Sequence, residues 1–112
     1  MKGQPNPTEI PVLLNCIRKA EADGYVSHFE VTKSGLYVKN NFYYYKPEEV
    51  VINSYYQFEL TDDPSENTIM YLVETKDGRK GILINAYEDF ADPILTSFVE
   101  QVEKNSNKSK YL

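Results

Sequence analysis

Three extended segments in the second half of the chain constrain the fold most strongly. Tyr55–Leu60 and Thr68–Thr75 alternate apolar and polar residues, as strands with one buried face do. Lys80–Ala86 follows Asp77-Gly78, a pair that strongly indicates a tight β-hairpin. Within that last segment Ile82-Leu83-Ile84 is apolar on both faces, which predicts a central strand or a strand with a second cover. The sequence therefore predicts an antiparallel meander at the centre of the fold.

A helix is predicted at each end of the chain. The first covers Glu9–Asp23, with Thr8 as N-cap and Gly24 as the residue just after its C-terminus. The second begins after Asp92 as N-cap, with Pro93 at its first position. Each helix has one apolar stripe at helical spacing, made of Ile10, Leu13, Leu14 and Ile17 in the first and of Ile94, Leu95, Phe98, Val99 and Val102 in the second.

Shorter elements fill the space between the first helix and the meander. Phe29–Thr32 and Leu36–Val38 flank the turn Lys33-Ser34-Gly35, and Lys46-Pro47-Glu48-Glu49 predicts a one-turn helix. The expected fold class is α+β: an antiparallel sheet of about five strands with both helices packed on one face. We expect a single domain over residues 1–104, followed by a polar tail over residues 105–112.

Charge and composition exclude several classes of partner. The net charge of −5 disfavours nucleic acid, because binding to the phosphate backbone depends on Lys and Arg. The sequence contains no long apolar run, so no membrane contact is expected. Cys16 is the single cysteine, which excludes an internal disulfide and fits a reducing compartment. We therefore expect a cytoplasmic location.

The reactive residues do not form a recognisable catalytic pattern. Cys16 and His28 are the single cysteine and histidine, too few for a zinc site, and nothing in the sequence marks a third, orienting group. Two acidic clusters, Asp62-Asp63-x-x-Glu66 and Glu88-Asp89-x-x-Asp92, are interpreted as a turn and a helix cap, and a carboxylate site for a hard cation is the third functional alternative. No metal and no cofactor are expected, and the balance leans against an enzyme.

Tyrosine is the unusual component, with ten Tyr beside five Phe and no Trp. Tyrosine suits interfaces because it combines contact area, few rotamers and a polar tip. We predict an interaction surface on the sheet face away from the helices, for a second copy or another protein; its candidate residues are Tyr43, Tyr45, Tyr55, Met70, Leu72 and Leu83. A competing interpretation is that the segment Phe42–Val50 folds over this face and seals it.

The region between Lys46 and Asp92 resembles a family of small uncharacterised bacterial proteins. The shared motifs are Pro47-Glu48-Glu49, Tyr56-Gln57-Phe58-Glu59, Asp63-Pro64, Tyr71-Leu72-Val73, Lys80-Gly81, Ala86-Tyr87 and Phe90-Ala91-Asp92. Some members are labelled phosphoribosylpyrophosphate synthetase, and the resemblance implies an alternative function as an enzyme for a small ligand, nucleotide or phosphoribose. Asp62-Asp63 is followed by Pro64-Ser65-Glu66-Asn67, which contains no glycine to cradle a phosphate. The leading prediction is a non-catalytic interaction or regulatory module.

Overall fold

The computed structural model describes residues 9–39, 41–59, 62–63, 67–86 and 91–110, with the backbone alone for residues 9–11 and 107–110. The described residues form two α-helices, five strands and one short 3₁₀ helix. In chain order they are α1 (Glu9–Ala22), β1 (Ser27–Thr32), β2 (Gly35–Val38), the 3₁₀ helix (Pro47–Glu49), β3 (Val50–Phe58), β4 (Thr68–Thr75), β5 (Lys80–Ala86) and α2 (Pro93–Lys110). The predicted α+β class is confirmed.

The five strands form one mixed sheet in the order β2-β1-β5-β4-β3. The neighbours β1 and β2, β3 and β4, and β4 and β5 are antiparallel, whereas β1 runs parallel to β5. The prediction of a purely antiparallel sheet is therefore wrong. After β2 the chain crosses to the opposite edge and begins β3, so the meander returns inward and brings β5 beside β1 in the same direction. As predicted, β5 is the central strand.

Close packing at the parallel contact explains one glycine. Gly81 is paired with Ser27. A Cβ at position 81 would lie 2.2 Å from the carbonyl oxygen of Ser27. No side chain fits there, so glycine at position 81 allows β1 to approach β5.

The first helix ends as its sequence predicts. The amide of Tyr25 donates to the carbonyl of Ala20 at 2.9 Å, and that of Gly24 donates to Glu21 at 3.0 Å. These two bonds form a Schellman motif, which needs a residue with positive φ, and Gly24 has a φ of 102°. The predicted cap Thr8 lies outside the described residues.

The second helix begins at the predicted cap and ends later than expected. An Asp92 carboxylate oxygen accepts the Ile94 amide at 2.9 Å, and the Asp92 amide donates to the side chain of Asn85 at 3.0 Å. The helix continues to Lys110, so the polar residues from Asn105 to Lys110 continue α2. No Gly or Pro stands between these two positions to stop a helix that has already started.

The two helices pack against different residues of the same strands. Cys16, Ile17 and Ala20 of α1 pack with Phe58, Met70, Leu72 and Ile82, a group we call the α1 cluster. A second group, which we call the α2 cluster, joins four residues of α2 to six residues of the sheet and of the segment before β3: Leu95, Phe98, Val99 and Val102 with Phe29, Leu36, Tyr45, Val50, Val73 and Leu83. Ile82 and Leu83 are successive residues of one strand and therefore point to opposite faces.

The helices consequently cover opposite faces of the sheet, and the prediction that both pack on one face is wrong. The physical reason lies in β5 and β4, whose successive residues are apolar and buried on both sides. A sheet with two apolar faces needs cover on both. Within the described part of the chain, neither helix is long and apolar enough to cross a membrane.

Candidate functional site

The six residues predicted to form one surface do not lie together. Met70 and Leu83 are 0% and 2% exposed and belong to the α1 cluster and the α2 cluster, on opposite faces. Leu72 is half-buried in the α1 cluster, and Tyr45 is buried in the α2 cluster. Tyr43 and Tyr55 are half-exposed, at 49% and 52%. The predicted surface is wrong because each face already has its own helix.

The segment between β2 and β3 folds inward at one tyrosine. Tyr45 exchanges backbone hydrogen bonds with Leu36 of β2, at 2.8 and 3.0 Å, and so extends the sheet by one bridge. Its hydroxyl donates to Asp77 in the β4–β5 turn at 2.8 Å. Together with Val50, its ring joins the α2 cluster. These two residues thus pack beside α2 on a face that already has a helix, so the competing interpretation, in which the segment seals a face without a helix, is wrong as well.

Carboxylates hold this segment in place. The Tyr43 hydroxyl donates to Glu49 at 2.6 Å, and the other oxygen of Glu49 accepts the Lys46 amide at 2.8 Å. These two bonds lower the pKa of Glu49, and the hydrogen bond between Tyr43 and Glu49 raises the pKa of Tyr43. The pKa of Asp77 is lowered first by its bond from the Thr75 hydroxyl and then by that from Tyr45. Each of these carboxylates thus has a structural role in a turn.

The remaining reactive side chains are also engaged structurally. His28 contacts Glu21 at 2.9 Å on the surface, linking β1 to α1, while Cys16 lies half-buried in the α1 cluster. Among the described residues, no three His, Cys, Asp or Glu side chains converge to hold a metal ion. The predicted Asp92 cap is confirmed, as described above.

The outer edge of the sheet at β3 has the strongest features of a binding surface. β3 is the last strand of the sheet and spans nine residues, VVINSYYQF, with no charged residue and no proline. Charges, prolines, short length and β-bulges are the usual protections of an edge strand against pairing with another chain. Of these, β3 has a bulge, in its pairing with β4 between Ile52 and Ser54, and none of the other three.

The hydrogen-bonding pattern shows which backbone groups of β3 point outward. The Lys76 amide donates to the Glu49 carbonyl, whereas the Thr75 amide donates to the Arg79 carbonyl. Even-numbered residues of β4 therefore turn their backbone groups toward β3, and odd-numbered residues toward β5. Ile52 and Tyr55 are paired with Val73 and Tyr71, which are odd-numbered. The N–H and C=O groups of Ile52 and Tyr55 therefore face away from β4, toward the open edge.

A groove of about 460 Å³ runs beside this edge on the α2 face. One side of the groove is lined by Ile52, Asn53, Ser54 and Tyr55 of β3, and the other by Val102, Glu103 and Ser106 of α2. The Tyr55 ring lies against that of Tyr71, with the ring centroids 6.2 Å apart. The edge and this groove together form what we call the β3–α2 site.

Sequence reasoning found part of this site. It selected Tyr55 but missed Ile52 and Asn53, because it began the strand at Tyr55 rather than at Val50. It also missed Glu103, because that residue lies outside the apolar stripe of the second helix. The available signal was Val50–Phe58 itself, which is rich in β-branched and aromatic residues directly after a proline-containing turn. The residues of this segment do not indicate that the strand lies at the edge of the sheet.

Comparisons with models of protein families, with curated proteins and with solved structures find no match to this chain. The resemblance to the family of small bacterial proteins therefore stays a prediction. The function has to be inferred from the geometry of the β3–α2 site.

Proposed function

We propose that this protein is a non-catalytic interaction module that binds an extended segment of another protein as an additional strand alongside β3. The observation that carries the proposal is the nine-residue outer strand without charge or proline. Strand addition gives affinity through main-chain hydrogen bonds and specificity through alternate side chains. The proposal keeps the tyrosine-based binding surface expected from composition but moves it from a sheet face to a sheet edge.

The two edges of the sheet differ in a way that supports this role for β3. β2 spans four residues, and Tyr45 bridges its outer side at Leu36. Gly35 cannot accept a Cβ, since that atom would lie 2.5 Å from the carbonyl oxygen of Tyr45. The edge at β2 is thus short and partly covered by the chain itself, while the edge at β3 is long.

Tyrosines flank the edge on both faces. Tyr55 points to the α2 face and Tyr56, its neighbour in the strand, points to the α1 face, and they are 52% and 46% exposed. An added strand would bring its side chains against both rings. Aromatic cross-strand pairs stabilise a strand pair by roughly 0.2–1 kcal/mol each.

Amide hydrogen exchange tests the proposal, using peptides selected from a displayed library of random extended sequences. In the free protein, the amides of Ile52 and Tyr55 should exchange quickly, while those of Ser54 and Tyr56, which face β4, should be protected. A bound strand should slow exchange at Ile52 and Tyr55 in proportion to the bound fraction. The amides of Ser54 and Tyr56 are the internal control.

Two variants at position 55 separate the contribution of the backbone to peptide binding from that of the side chain. Tyr55→Ala keeps the outward N–H, whereas Tyr55→Pro removes it at a place where an edge strand can tolerate proline. We expect peptide binding to weaken in Tyr55→Ala and to disappear in Tyr55→Pro. Equal binding by both variants, or unchanged exchange at Ile52 and Tyr55 in a peptide complex, would contradict strand addition.

A further inference from the structure

We propose that the segment bound at the β3–α2 site is basic, with a Lys or Arg side chain entering the groove between β3 and α2. This inference rests on the proposed function and adds the chemistry of the partner. Its evidence is the charge and the aromatic surface around the groove, which are independent of the backbone argument for strand addition.

The groove combines an aromatic floor with an acidic wall. The Tyr55 ring is half-exposed on the α2 face, and Glu103 lies across from it on α2. Side chains of a strand added at β3 alternate between the two faces, so every second one points into this groove. A long basic side chain there would place its aliphatic stem over the Tyr55 ring and its charged end near Glu103. The Glu103 carboxylate favours a cation, and the Tyr55 ring favours the long apolar stem that Lys and Arg carry.

The acidic character continues along the same side of α2. Glu100 lies one helical turn before Glu103 and lines the neighbouring recess with Tyr71. Residues three apart lie on one side of a helix, so the two glutamates face β3 and β4 together. Gln101 lines a recess on the other side of the helix, toward β1 and the 3₁₀ helix. The acidic wall is therefore specific to the side that faces the edge.

Charges at the ends of β3 point to the same partner. At the end near Phe58 the chain carries Glu59, and the described residues 62 and 63 are both Asp. At the other end Glu48 and Glu49 are offset by Lys46 and Lys76. The excess of acidic groups is thus at the groove and at the Phe58 end, within a chain of net charge −5.

A second copy of this chain fits the edge less well. Antiparallel self-pairing that matches the outward groups of Ile52 in one copy with those of Tyr55 in the other would bring Glu48 of one copy near Glu59 of the other at both ends. Like charges directly opposite each other destabilise a strand pair. A basic segment from another protein avoids this repulsion, so we expect the isolated protein to be a monomer.

The experiment compares peptides selected by the wild type and by variants that differ in charge. Random extended peptides on a display library are selected against the wild type, Glu103→Lys and Glu30→Lys. Glu30 lies on β1, away from the β3 edge, so its reversal matches the change in net charge without altering the groove. Analytical sedimentation at micromolar concentration measures the oligomeric state of each protein.

We expect the wild type and Glu30→Lys to enrich peptides with Lys or Arg at alternate positions, and Glu103→Lys to lose this preference. The selected basic peptide should bind Glu103→Gln about three- to fivefold more weakly than the wild type, the scale of an exposed ion pair. Added salt should weaken wild-type binding and have less effect on Glu103→Gln.

The other outcomes separate the two proposals. Enrichment of uncharged or acidic peptides that protect the Ile52 and Tyr55 amides would overturn the basic partner but leave strand addition intact. If the wild type sediments as a dimer, and Glu103→Lys does so equally, the edge binds a second copy of this chain and the proposal of a basic segment is overturned. A failure of the wild type to enrich any peptide above the level of Tyr55→Pro would overturn both proposals.

Discussion

Replacing Phe98 by Ala tests the packing of α2 on which the β3–α2 site depends. The Phe98 side chain is 7% exposed and belongs to the α2 cluster with residues from all five strands. Deleting a buried Phe side chain costs about 3–5 kcal/mol of unfolding free energy. A recess of about 570 Å³ adjoins Phe98, so solvent can enter the vacated space, and we expect the lower end, about 3 kcal/mol.

The same substitution at Phe42 is the matched control, because that side chain is 96% exposed. Phe42→Ala should change the unfolding free energy by less than about 0.5 kcal/mol. Urea denaturation followed by far-ultraviolet circular dichroism measures both variants, and about 3 kcal/mol corresponds to a fall in Tm of about 12 °C for a domain of this size. A cost for Phe98→Ala below about 1 kcal/mol, or equal to that of Phe42→Ala, would refute the packing of α2 against the sheet.

The remaining predictions concern a glycine and a carboxylate. Gly81→Ala should destabilise the protein far more than Gly78→Ala, because a Cβ at position 81 would lie 2.2 Å from a backbone oxygen. A Cβ at position 78 has nothing within 4 Å and strains only the backbone, whose φ is 92°. Thermal unfolding measures both variants, and equal losses of stability would contradict the close β1–β5 contact. Bonds from Thr75 and Tyr45 lower the pKa of Asp77 below its ordinary value of 3.8, so its contribution to stability should be complete above that value and lost as the pH falls through the lowered pKa. Urea midpoints measured as a function of pH test this, because Asp77→Asn should remove the fall in stability that protonation of Asp77 causes at acid pH. An unchanged pH profile would show that the Asp77 carboxylate contributes nothing to the stability of the folded protein.

Some features were determined by the sequence alone because their causes lie within a few residues. Asp92-Pro93 starts α2, since the aspartate side chain caps the first amides and proline needs no donor there. Gly24 ends α1 because its positive φ is accessible to glycine. The strands β4 and β5 and the turn between them follow from alternation and from Asp77-Gly78 in the same way.

Only the tertiary structure decided which strands and faces meet. The alternation of β5 shows that Ile82 and Leu83 point in opposite directions, but it does not say which helix covers each of them. Likewise, Tyr45 has the same local surroundings as Tyr43 and Tyr44, yet it is buried because it bridges β2 and reaches Asp77, which is far away in sequence.

The open edge at β3 was decided in the same way. Nothing in Val50–Phe58 distinguishes an edge strand from an inner one, because the sequence of a strand specifies its side chains and not its neighbours. β3 became the edge because β1 pairs with the side of β5 that β4 leaves open, so the sheet grows on that side and β3 is left outermost. The sequence by itself thus determined the elements and a surplus of tyrosine, and the long-range pairing of β1 with β5 decided where two of those tyrosines are exposed for binding.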